Sequence, residues 1–156
     1  MTPSRLDHAG IEALIPHRGP MCLLDRMTSW DETRIECVAV NHRDARHPLR
    51  SASGLLASVA IEYAAQAMAV HGALSAAAAG DRAAPGFLAS ARDVRLACRR
   101  LDDLPRVDRD ELLVVAERQA ADAARLLYSF VVRHGDRELA SGRVADVLDA
   151  ALAPTR

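Results

Sequence analysis

The chain has 156 residues, half of them hydrophobic and 26% charged, which suits a globular protein with one sizeable core. A formal net charge of −1 argues against a general nucleic-acid binder, which would need a strongly basic surface. Aromatic residues are only 3%, so the core has to be built from Ala, Leu and Val.

In chain order, Asp7 is placed to cap a short helix over His8 to Leu14, and Pro16 then breaks the pattern. Met21 to Trp30 reads as a strand, Asp31-Glu32 as a turn, and Thr33 to Val40 as the hairpin partner. Asn41 to Gly54 is a polar loop holding His42, His47 and three arginines, Arg43, Arg46 and Arg50. A long alanine-rich helix is expected from about Gly54 to Ala79, ended by Gly80-Asp81. Further strands are expected over Gly86 to Cys98, Glu111 to Gln119, Arg125 to His134 and Glu138 to Leu148. Asp122 and Gly135-Asp136 supply turns between them, and Leu101 to Asp110, with Pro105, is a linker. One helix followed by a run of strands predicts a single α+β domain over 1–156 with an antiparallel sheet packed on that helix.

Cys22, Cys37 and Cys98 are odd in number, far apart and without a CxxC pair. That pattern predicts reduced thiols in a cytoplasmic protein and no metal site. The first residues lack the apolar core of a signal peptide. Leu55 to Ala79 is long enough to span a bilayer, but Glu62, Gln66 and His71 make it a buried central helix instead.

Ser58, Glu62 and Gln66 fall at i, i+4 and i+8, one narrow polar strip on an apolar cylinder. Burial there is expected to raise the pKa of Glu62 and keep it protonated. His47, in the loop just before the helix, is the natural proton-transfer partner. His42 is the rival loop histidine. His17 is read as structural, and His71 is given no role. Gln66 is placed near the site as a hydrogen-bonding residue.

The stretch Ile15-Pro16-His17-Arg18-Gly19-Pro20-Met21-Cys22-Leu23-Leu24-Asp25-Arg26 resembles the PHRxPxLLVDR opening of the 3-hydroxyacyl-acyl carrier protein dehydratases of fatty-acid synthesis. His47, thirty residues after His17, is close to the spacing of that family's catalytic histidine. Glu62-Tyr63-Ala64-Ala65-Gln66-Ala67 resembles its E-A-M-A-Q helix. The whole sequence, with IEYAAQAMAVHGAL and GFLASARDV, is still more similar to the small dehydratases of aryl-polyene biosynthesis clusters. Two features depart from the family. His47 is followed by Pro48-Leu49-Arg50 rather than F-P-G, and Glu62 lies fifteen residues after it, one more than is common.

The resemblance implies a hotdog fold, a curved antiparallel sheet wrapped round one long helix. It also implies dehydration of a 3-hydroxyacyl thioester on acyl carrier protein to the trans-2-enoyl thioester. His47 is then the base and a protonated Glu62 the acid. Backbone N–H groups of Gly54 and Leu55, at the expected helix start, bind the thioester oxygen. Gly54, Leu55 and Gln66 are the expected substrate contacts. Arg46 and Arg50, with Arg43, Arg92, Arg95, Arg99 and Arg100, read either as a solvated basic face or as a basic rim for an acidic carrier. No cofactor is expected beyond the pantetheine arm of the substrate. A homodimer or higher even oligomer, or a heteromeric dehydratase partner, would cover the apolar helix, with His47 of one chain meeting Glu62 of the other. A hotdog thioesterase and a non-catalytic acyl-binding subunit are the alternatives.

Overall fold

The computed structural model describes residues 2–148. Its elements run β1 (Leu6–Asp7), α1 (His8–Glu12), β2 (Arg26–Trp30), β3 (Arg34–Ala39), α2 (Ala60–Ala78), β4 (Gly86–Leu96), β5 (Leu112–Ala121), β6 (Arg125–His134) and β7 (Arg137–Leu148). The strands form one antiparallel sheet in the order β1-β2-β3-β5-β6-β7-β4. α2 packs on β3, β5, β6 and β7. This is the expected hotdog arrangement. After β3 the chain runs along α2 and enters β4 at the far edge. The 97–111 linker then brings it back to the centre of the sheet.

The turns are made by the residues expected to make them. The Asp7 carboxylate caps α1 by accepting the Gly10 N–H at 2.9 Å. Asp31 Oδ1 accepts the N–H groups of Thr33 and Arg34 and closes the β2–β3 hairpin. Asp122 Oδ1 does the same for Ala124 and Arg125 between β5 and β6. Gly135, with φ +57°, supplies the left-handed residue between β6 and β7.

Two boundaries differ from expectation. Met21 to Asp25 is not strand: Gly19–Met21 is a single 3-10 turn, and Leu23 and Leu24 run buried beneath α2 to reach β2. The helix also starts later than Gly54. Leu56 is extended and pairs with Arg100, and the flanking residues are tied to the linker, with Ala57 N–H donating to Arg99 O at 2.9 Å and Leu101 N–H to Leu55 O at 2.8 Å. A 3-10 turn over Ala57–Val59 then leads into α2. Backbone spent on sideways pairing is not free to open a helix.

The core is aliphatic around three fully buried rings, Tyr63, Tyr128 and Phe130. His71 is buried as well. Its Nε2–H donates to Asp31 O at 2.8 Å and its Nδ1 accepts from Tyr128 Oη at 2.6 Å, which ties α2 to the β2–β3 turn and to β6. No helix among the described residues is long and apolar enough to cross a membrane.

Gly54 sits at φ +101°, and a Cβ there would lie 2.6 Å from Arg100 Nε and 2.8 Å from both carboxylate oxygens of Asp102. Gly54→Ala combines left-handed strain with displacement of the Arg100–Asp102 ion pair. The expected cost is about 2–3 kcal/mol, seen as a melting temperature lowered by roughly 4–12 °C. A change under about 0.5 kcal/mol, the usual range of a neutral surface substitution, would contradict this packing.

Candidate functional site

The loop after β3 positions His47 through successive three-residue turns. Asp44 N–H donates to Asn41 O, His47 N–H to Asp44 O, and Arg50 N–H to His47 O, each at 3.0 Å. Arg43 fastens this loop to the linker, donating to Asp110 Oδ2 from Nε at 2.6 Å and to the carbonyls of Leu104 and Asp102 at 2.8 and 3.2 Å. The loop forms one wall of a cleft of about 330 Å³, facing the Gly19–Asp25 segment. His47, Asn41, Asp44, Arg46, Leu23 and Leu24 line it.

His47 is 5% exposed and both of its ring nitrogens are engaged. Nδ1 accepts the Leu49 N–H at 3.1 Å. Nε2 therefore carries the proton of the neutral ring and donates it to Tyr63 Oη at 3.0 Å. Tyr63 in turn donates to Asn41 Oδ1 at 2.5 Å. Burial holds the His47 pKa below the ordinary 6.5. His47 is thus a neutral hydrogen-bond donor, with no free lone pair for taking a proton.

Glu62 lies in the first turn of α2 with about 30% of its side chain exposed. Its Oε1 is 3.2 Å from His17 Nε2 and accepts from Gln66 Nε2 at 3.1 Å. The His17 contact and the Gln66 donor outweigh desolvation and pull the carboxyl below its usual 4.5. The expectation of a protonated Glu62 is therefore corrected: hydrogen bonding to the anion beats partial burial, and the group is a carboxylate at neutral pH. His47 and Glu62 share no contact within the chain. One bonds Tyr63 and Leu49, the other His17 and Gln66.

Three further expectations change. The N–H groups of Gly54 and Leu55 do not open a helix and are not free. Gly54 N–H donates to Ser51 O at 3.0 Å and Leu55 N–H to Asp102 Oδ1 at 3.1 Å. Gln66 is fully buried, its amide spent on Met21 O, Leu23 N–H and Glu62. It clamps the segment beneath α2, and it also orients the carboxylate. Arg50 is not a rim residue, because its Nη1 lies 3.0 Å from Asp102 Oδ2. That carboxylate is 2% exposed, is also paired with Arg100 at 3.0 Å, and is lowered to about 2 chiefly by the Arg100 hydrogen bonds. Arg46 does fit a rim, with its side chain 92% exposed at the cleft mouth.

Sequence reasoning missed Tyr63, Asn41, Asp102 and the part played by His17. A signal existed for Tyr63, the only aromatic side chain in α2. Asp102 and Asn41 carry no such mark, since their contacts to Leu55, Arg50 and Tyr63 join residues far apart in sequence.

A hotdog sheet around an acid-bearing helix, with a histidine-lined cleft beside it, defines the class of protein. Within that class the chain belongs to the ApeP-like family, whose ApeP dehydratase model matches residues 9–151. Among solved structures it is similar to the dehydratase heterocomplex ApeI:P from Xenorhabdus doucetiae, at 20% identity over 89% of this chain and 90% of that one, TM-score 0.76. It is also similar to zebra fish thioesterase superfamily member 2, at 12% identity over 92% and 99% with TM-score 0.62. A thioesterase from Haemophilus influenzae matches at 12% identity over 83% and 81% with TM-score 0.57. At these identities the likeness is one of fold. No curated protein matches the chain in sequence.

The tautomer of His47 is open to measurement. Imidazole nitrogen NMR is expected to show a neutral ring with the proton on Nε2 and a titration midpoint below 6.5. Tyr63→Phe, which removes the acceptor, should move the Nε2–H resonance while leaving that of His71 in place. A midpoint above 7, or a proton on Nδ1, would contradict the hydrogen bonding described.

Proposed function

We propose that the chain dehydrates a 3-hydroxyacyl thioester, carried on acyl carrier protein, to the trans-2-enoyl thioester. In this reading the site is shared by two hotdog protomers, Glu62 coming from one and His47 from the other. The observation that carries it is the pair of complementary states: an ionised carboxylate oriented by two donors, and a neutral imidazole N–H on the wall of a cleft. Membership of a dehydratase family supports the reaction class.

The Glu62 carboxylate accepts the α-proton. The C–H electron pair passes through an enolate to the Cα–Cβ double bond as the β C–O bond breaks. The leaving hydroxide takes a proton back from Glu62, water departs and the carboxylate is restored. His47 does not titrate in this scheme. Its Nε2–H turns from Tyr63 to the thioester oxygen and stabilises the charge that develops there, as a neutral imidazole can. It takes the role expected of the Gly54 and Leu55 N–H groups, which are engaged elsewhere. The scheme uses no cofactor beyond the substrate's pantetheine arm, and Arg46 meets the acidic carrier at the cleft mouth.

The surface supports a second protomer. β4 is an 11-residue edge strand exposed along most of its length, whereas the opposite edge, β1, has two residues. Phe87, Leu88 and Val147 stand 56%, 44% and 44% exposed on the β4 side. A second copy of the chain is the simplest occupant. The bonded N–H groups of Gly54 and Leu55 favour one other reading, in which the chain supplies half-sites to a different dehydratase subunit.

Mass spectrometry of a 3-hydroxyacyl carrier incubated with the purified chain tests both. Loss of one water with the chain alone supports the first reading, and loss only when a dehydratase partner is added supports the second. Release of the acyl group, or no change in either mixture, would overturn both. On the active form, Glu62→Gln should lower turnover by about 10²–10⁴-fold. His47→Ala should cost about 10²–10³-fold, with His47→Gln, which keeps an N–H donor, clearly less impaired. Activity needs the Glu62 anion, whose pKa is depressed, so the rate should hold through the imidazole range and fall only below the ordinary carboxylate value of 4.5. Equal damage from Ala and Gln at position 47, with an acid limb in the imidazole range, would instead make His47 the base.

A further inference from the structure

We propose that His42, Asp110 and His134 form a site for one divalent transition-metal ion of the zinc class, stapling the cleft loop to the ends of β5 and β6. The three residues come from separate parts of the chain: the loop after β3, the residue two before β5, and the last residue of β6. One ligand atom from each lies within 4.8 Å of the other two. His42 Nε2 is 3.4 Å from Asp110 Oδ1, and His134 Nε2–H donates to the same oxygen at 2.7 Å. The two imidazoles are 1% and 4% exposed.

His42 carries the argument. Both of its ring nitrogens are buried, and among the described residues neither makes a well-aligned hydrogen bond, Nε2 standing 3.4 Å from Asp110 Oδ1. A buried imidazole with two idle nitrogens is costly, and polar groups so placed normally have a partner. Ligation by Nε2 would satisfy one of them. Zinc bonds to imidazole nitrogen and carboxylate oxygen are about 2.0–2.2 Å, which puts tetrahedral ligand atoms roughly 3.3–3.5 Å apart. The His42–Asp110 contact already has that spacing. The His134–Asp110 contact is a hydrogen bond, and it would open as the His134 proton moves to Nδ1 and Nε2 turns to the metal.

The charges at the site are also in order. Both imidazoles are buried beside the Asp110 carboxylate, the donor set a divalent ion needs. Arg43 bonds Oδ2 from Nε at 2.6 Å and Oδ1 from Nη2 at 2.9 Å, and Arg106 reaches Oδ2 at 3.3 Å. These contacts fix the orientation of the Asp110 carboxylate, the role that outer partners of a metal-bound carboxylate play. Both arginines add positive charge, and Asp102 and Asp103 act on Arg43 from its other side. Three protein ligands beside a partly exposed carboxylate leave the fourth position to water. Asn41, next to His42, accepts from Tyr63, so an ion here would fix the residue that anchors the His47 relay.

The test uses the full chain without a polyhistidine tag, first treated with a chelator. Calorimetric titration with Zn²⁺ should show one equivalent bound, and Co²⁺ should give visible d–d bands. The melting temperature should rise by roughly 5–10 °C at about a hundredfold excess over Kd. His42→Leu and His134→Leu should each lose the cobalt bands and the thermal shift. If one of them fails to fold, the other and Asp110→Asn make the comparison. No stoichiometric binding by the wild-type chain, or bands that persist in the folded variants, would overturn the proposal.

Discussion

Glu62 and Tyr63 are neighbours in sequence and point about 100° apart around α2, as the helical repeat requires. That one rotation divides the molecule. Tyr63 turns into the core, where its hydroxyl receives the His47 N–H. Glu62 turns to the half-exposed face, where His17 and Gln66 hold it. The loop is held through Tyr63, and the carboxylate is held separately by His17 and Gln66. Within one chain the two groups share no contact, so a reaction using both is easier to build from two chains than from one.

The protonation states follow from local competition rather than from burial alone. Glu62 is desolvated, which would neutralise it, but His17 and Gln66 both bond the charged form and prevail. Asp102 is a stronger case, with a nearly buried carboxylate kept ionised by its Arg100 contacts and the Leu55 N–H. Its folded pKa is depressed, so the stability it contributes is present above the ordinary 3.8 and lost as pH falls towards about 2. The carboxylate also spends a backbone donor at the place where an acyl oxygen was expected. His47 is buried with a backbone N–H on Nδ1, which fixes its tautomer and makes it a donor.

Much of the fold was legible because its signals are local. Asp7, Asp31, Asp122 and Gly135 act within three residues of themselves, and each makes the expected turn or cap. The strands from Gly86 onward were placed to within about two residues at their ends. The start of α2 was misplaced because it depends on pairing between residues 55–57 and 99–101, which no local pattern announces. The candidate residues could be placed on their elements from sequence, but their hydrogen bonding could not. His47 and Glu62 stand in the expected segments, but their roles depend on Tyr63, Leu49 and His17, partners that only folding supplies. Arg50 shows the same limit, because its charge was visible and its Asp102 partner was not.

The shared site is the central claim, and subunit complementation tests it most directly. His47→Ala and Glu62→Gln proteins, each inactive alone, are mixed and allowed to exchange subunits, and dehydration of a 3-hydroxyacyl thioester is followed. One of the two sites in a mixed dimer would then hold both intact residues, so the account predicts recovery of part of the wild-type rate. No recovery in a mixture shown to contain mixed dimers would place both residues in one chain's site, or remove one of them from the chemistry, and would contradict it.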